Sequence, residues 1–192
     1  MKIPATLAGC VLMCAAAAFA QERLTPELQK AKAALDKYKD VVAAVHDGYF
    51  STVGCVTYPK PGGPGEVPYK VGAMGVHFLN GALVGQPLDP MKPQILVYEP
   101  GADGKLTLVA AEWFVPVAPG MKEAPTIFGR KFDGPMEGHH PLMPHALHHF
   151  DLHVWLWREN KEGLFSPTNP GVKCPKGPYT FEEVAPKIVT LK

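Results

Sequence analysis

Apolar residues follow two different periods along this chain, and the switch between them divides it. Thr25-Pro26-Glu27 reads as an N-cap, a first-turn proline and a first-turn acid. Leu28, Ala31, Leu35, Tyr38, Val42 and Val45 then recur at spacings of three and four. That spacing predicts one amphipathic helix stopping near Gly48, with Lys30, Lys32, Lys37 and Lys39 mostly on its solvated side.

From residue 51 onward the period is two. Residues 51–58 form a β-branched run, and Val71, Ala73, Gly75, His77 and Leu79 alternate along a second strand. Residues 94–99 and 106–117 are strand-like runs joined by Asp103-Gly104, a strong hairpin signal. Phe150, Leu152, Val154 and Leu156 alternate against His149, Asp151 and His153. The stretches between are rich in proline and glycine: 59–68 is expected to be a mobile surface loop and 118–144 one long loop. The pattern predicts a mainly β (α+β) domain, a compact barrel or sandwich with one N-terminal helix packed against it.

The first twenty residues stand apart from this pattern. Lys2, an apolar run from Leu7 to Ala18, and Ala18-Phe19-Ala20 have the three parts of a cleaved export signal. The expected product is a single domain of residues 21–192, periplasmic or secreted; lipid attachment at Cys10 is the alternative. The run is too short for a membrane span. The chain has 19 basic and 18 acidic residues, and losing Lys2 leaves 18 of each, so nothing favours nucleic acid or anionic lipid as a partner. Cys10 and Cys14 leave with the signal, so Cys55 and Cys174 are the pair expected to form a disulfide, with a Cys-His metal site as the alternative.

The candidate chemistry is carried by histidine. Of the 8 histidines, His139, His140, His145, His148, His149 and His153 fall in one short stretch. On a strand or on a helix, His149 and His153 share a face. On other strands His77 and Glu112 each project among apolar neighbours, where a carboxylate must be paired, protonated or bound to a metal. His77, Glu112, His149 and His153 are therefore the expected ligands of a divalent metal such as zinc, copper or iron, with Met136 and Met143 at hand should it be copper. His139, His140, His145 and His148 have no such placement on a strand face, and a surface cluster without metal is the plain alternative.

Two further readings remain open. A small apolar ligand could be bound between Phe78, Trp113, Trp155 and Trp157. A metal-dependent enzyme, hydrolase or oxygenase, could use Glu112 or Asp151 as a base, although no nucleophile elbow, HExxH pattern or phosphate loop is present.

Met74-Gly75-x-His77-Phe78-x-Asn80, His153-Val154-Trp155-Leu156-Trp157, Asn160, Gly163-x-Phe165 and Asn169-Pro170-x-Val172-x-Cys174 cover most of the chain after the signal. This pattern resembles an uncharacterised group of small exported bacterial proteins, which implies a single secreted domain and no particular activity. The layout of histidines and a glutamate on strands is also similar to cupin-type metal barrels, but the two-motif cupin signature is absent.

Overall fold

A computed structural model describes residues 24–139 and 142–191, so the expected export signal and His140 lie outside the described residues. The molecule is mostly β. Strands β1 (Phe50–Tyr58), β2 (Gly72–Leu79), β3 (Ile95–Pro100), β4 (Leu106–Pro116), β7 (Asp133–Met136), β8 (His149–Val154) and β9 (Thr180–Glu182) form one curled half-barrel sheet in the order β7-β8-β4-β3-β2-β1-β9. All neighbours are antiparallel except β1 and β9. β5 (Thr126–Ile127) and β6 (Arg130–Lys131) form a separate small hairpin.

The N-terminal helix forms as expected and then breaks. Leu28 N donates to the Thr25 hydroxyl at the start of α1 (Pro26–Leu35), which buries Leu28, Ala31 and Leu35. A 3-10 turn follows at Asp36–Lys39, and the extended backbone of Asp40 ends it. The Asp40 carboxylate then caps a second short helix, α2 (Val41–His46), by accepting from Val42 N at 2.9 Å. The break resets the helical phase, so Ala44 is buried while Val42 and Val45 are 74% and 41% exposed. These two valines therefore leave the stripe to which their spacing assigned them. Tyr98 of β3 donates to Tyr38 O at 2.7 Å, and Trp157 donates to Asp36 at 2.6 Å, which fixes the helical layer to one face of the sheet.

The proline-rich stretches are more structured than their composition suggests. The 59–68 segment, expected to run over the surface, leads into a small core in which Val67 and Tyr69 are buried with Val56, Tyr58, Met74, Met136 and Ala185. The 118–144 stretch, expected to be one loop, contains β5, β6 and β7. Residues 183–189 then run from one sheet edge toward the other. Glu183 N donates to Thr57 O, Val67 N to Pro186 O, Glu137 N to Lys187 O, and Val189 N to Pro135 O. That segment spans the open side of the half-barrel and so encloses its interior face.

The expected disulfide is present between Cys55 and Cys174, with Cα atoms 5.5 Å apart and 119 residues of separation. It ties β1 to the segment leading into β9. No helix among the described residues is long and apolar enough to cross a membrane.

Candidate metal centre

The interior face of the sheet carries the ionisable side chains, and a bulge in β2 helps to place them. Val56 pairs with Gly75 but Thr57 pairs with Ala73, leaving Met74 as the extra residue. Gly75 sits at φ +117°, and a Cβ there would lie 2.6 Å from Tyr98 O. Only glycine fits this position. The bulge breaks the alternation read from the sequence: Met74 and His77, three residues apart, line the same cavity.

Across the sheet, Glu112 of β4 pairs directly with His153 of β8. Glu112 Oε2 lies 3.2 Å from His153 Nε2 and 3.4 Å from His77 Nε2, and all three residues are buried. These contacts are short enough for hydrogen bonds but lack their directions, so Glu112 Oε2 and His153 Nε2 have no hydrogen-bond partner among the described residues. One ligand atom from each of the three residues lies within 4.8 Å of the other two. A tetrahedral ion with bonds of about 2.05 Å holds neighbouring donors about 3.3 Å apart, which these spacings match.

A second group lies at the other end of β8. His139, His149 and Asp151 bring one ligand atom each within 4.8 Å of the others. His149 Nε2 is 3.7 Å from Asp151 Oδ2, and neither atom has a hydrogen-bond partner among the described residues. His149 Nδ1 lies 3.2 Å from Leu147 O. A carbonyl can only accept, so Nδ1 carries a proton, and Nε2 is the nitrogen that can bind an ion when the ring is neutral. Fixing the tautomer of a ligating histidine in this way is a common second layer of metal sites. His139 Nδ1 is 3.3 Å from the Tyr58 hydroxyl, and its Nε2 is 3.2 Å from Met136 Sδ, which Tyr69 also approaches.

The electrostatics follow from burial opposed by these neighbours. Burial pushes Glu112 up, but His153, His77 and His149 together outweigh it and hold the carboxyl below its ordinary range. Burial pushes His149 down, and Asp151 more than reverses that. For His139 burial prevails: the charge of Asp151 opposes it, but burial together with His149, His77 and His153 lowers the ring to about 3, so it is neutral near pH 7. Asp133, beside the second group, is raised to about 6 by burial and then by the charge of Asp151.

The four residues expected to act together are thus divided. His77, Glu112 and His153 meet, whereas His149 joins His139 and Asp151. The shared-face reading of His149 and His153 holds, since both are on β8 and buried on its inner side. Yet residues four apart on a strand are about 13 Å apart along it, too far for one ion. The missed partners were His139, which had no periodic signal, and Asp151, which had one: it neighbours His149 on the same strand face. His145 and His148 are exposed, with His145 3.9 Å from Glu137.

A cavity of about 160 Å³ adjoins the first group, lined by His77, Glu112, His153, His139 and a wall of Leu79, Val84, Ile95, Phe114, Leu142, Met143 and Leu147. None of Phe78, Trp113, Trp155 and Trp157, the expected walls of a ligand pocket, lines it. Phe78 and Trp113 each follow a cavity residue, His77 and Glu112, and strand alternation turns them to the opposite face. Phe78 packs on Tyr98, Trp113 on Phe128, and the indoles of Trp155 and Trp157 donate to Ser166 O and Asp36.

No protein-family model, curated protein or solved structure matches this chain, so its functional reading rests on this geometry.

Proposed function

We propose that this protein binds transition-metal ions at two buried positions, one held by His77, Glu112 and His153 and one by His139, His149 and Asp151. A single observation carries the reading. Among the described residues, every buried side-chain nitrogen or oxygen without a hydrogen-bond partner belongs to His77, Glu112, His149, Asp151 or His153. Unpartnered buried polar atoms are strongly unfavourable, and seven of them in two clusters of ligating residues require a cause. A metal ion in each cluster accounts for the atoms that face one another, Glu112 Oε2 and His153 Nε2 in the first and His149 Nε2 with an Asp151 oxygen in the second, and leaves the far ring nitrogens of His77 and His153 outside that explanation.

Two imidazoles and a carboxylate suit zinc or iron(II). Three protein ligands leave a tetrahedral ion one further position. The cavity beside His77, Glu112 and His153 is what favours a second reading, in which this position takes an exogenous ligand or substrate. Glu112 is then a ligand rather than a free base.

The test is elemental analysis of untagged protein dialysed against metal-free buffer. The expected content is two equivalents of metal per chain, falling to one in His77→Ala/His153→Ala and to one in His149→Ala/Asp151→Asn. Protein that folds and carries less than a tenth of an equivalent after exposure to zinc, iron(II) and copper overturns the reading.

A further inference from the structure

We infer that the ion held by His77, Glu112 and His153 takes, at its remaining position, a small monocarboxylate whose apolar body fills the adjoining cavity. The inference rests on the metal reading above and adds the chemistry of the ligand.

Charge sets the head group. A divalent ion held by one carboxylate and two neutral imidazoles keeps a net charge of +1 in a buried site. His77, Glu112 and His153 are all nearly inaccessible to water, so that charge is poorly screened and favours a monoanion. Among the described residues no lysine or arginine lines the cavity, so a second negative charge finds no counter-ion from them. Phosphates and dicarboxylates are thereby disfavoured.

The wall sets the body. The lining also includes Leu79, Val84, Ile95, Phe114, Leu142 and Leu147, whose side chains offer no hydrogen bond to a polar tail. A cavity of about 160 Å³ is close to the roughly 150 Å³ space, lined by leucine, isoleucine and phenylalanine, that stays dry and takes benzene. The body that fits is therefore one six-membered ring or a branched chain of similar volume. Access is from the rim, where Thr52, Val84 and Met143 are partly exposed and Leu147 is 38% exposed.

The experiment uses untagged protein loaded with zinc, and isothermal titration with benzoate, acetate, benzyl alcohol and 2-naphthoate. Benzoate is expected to bind at least tenfold more tightly than acetate, which lacks the apolar body. It should also exceed benzyl alcohol, which lacks the charge, and 2-naphthoate, which exceeds the cavity. Metal-stripped protein should bind benzoate at least tenfold more weakly. Val84→Trp, which fills the cavity from its rim and belongs to neither ligand cluster, should abolish benzoate binding while metal content stays unchanged. Stoichiometric metal with no benzoate binding, or equal binding with and without metal, overturns this inference and leaves the metal reading standing. Failure to hold metal at all overturns both.

Discussion

Replacing Glu112 by glutamine changes one oxygen to an amide group and should remove the metal response at the first position. Glu112 is 3% exposed, sits between two imidazoles at 3.2 and 3.4 Å, and supplies the only negative charge in that group. An ion that binds the folded chain alone stabilises it by RT ln(1 + [L]/Kd), about 2.7 kcal/mol when the free ion is at a hundred times Kd. For a chain of this size each kcal/mol moves Tm by about 2–4 °C, so saturating this position should raise Tm by roughly 5–11 °C. The assay is thermal unfolding with and without zinc, run in the background of His149→Ala/Asp151→Asn so that only this position responds. The parent should show the rise, and Glu112→Gln should show less than a quarter of it. An equal rise in both proteins would refute the reasoning, because it would place the ion elsewhere.

Three other perturbations probe the frame around the centre. Replacing Cys55 and Cys174 by alanine opens a loop closed across 119 residues of sequence and should cost about 4–5 kcal/mol in denaturant unfolding; a cost under 1 kcal/mol would show that the bridge adds no constraint. Gly75→Ala should cost more than about 2 kcal/mol and weaken metal retention, because its Cβ meets Tyr98 O at a backbone angle alanine rarely adopts. In metal-free protein, Asp133, raised from 3.8 to about 6, binds its proton more tightly when folded, so its ionisation erodes stability as pH rises from about 4 through 6. Asp133→Asn should therefore equal the parent near pH 4 and exceed it by about 1–2 kcal/mol at pH 7, after discounting for partial exposure; a gain that is independent of pH would contradict that assignment.

Much of the frame was legible because it rests on local rules. Alternation in 94–99 and 106–117 with Asp103-Gly104 between them predicts the β3–β4 hairpin, where Gly101 N donates to Lys105 O. The alternation of Phe150, Leu152 and Val154 against His149, Asp151 and His153 predicts β8 and the face its histidines share. The cysteine pair follows from counting.

What was not legible depends on long-range geometry. β7 is four residues long and contains Gly134 and Pro135, so it is a strand only because β8 supplies its partner. The closing segment 183–189 makes its bonds to three different parts of the chain, none adjacent in sequence. The division of the histidines turned on distance along a strand rather than on face. The helix broke at Asp40 because its carboxylate competes for backbone N–H groups, an effect the spacing of apolar residues does not register.

The most direct test of the central claim is anomalous diffraction at the absorption edge of the metal that elemental analysis finds, from crystals of untagged protein. One peak is expected about 2.0–2.2 Å from nitrogen or oxygen atoms of His77, Glu112 and His153, and a second on His139, His149 and Asp151. Metal-replete crystals with no peak at either cluster, and with ions only on exposed histidines such as His145 and His148, would contradict it.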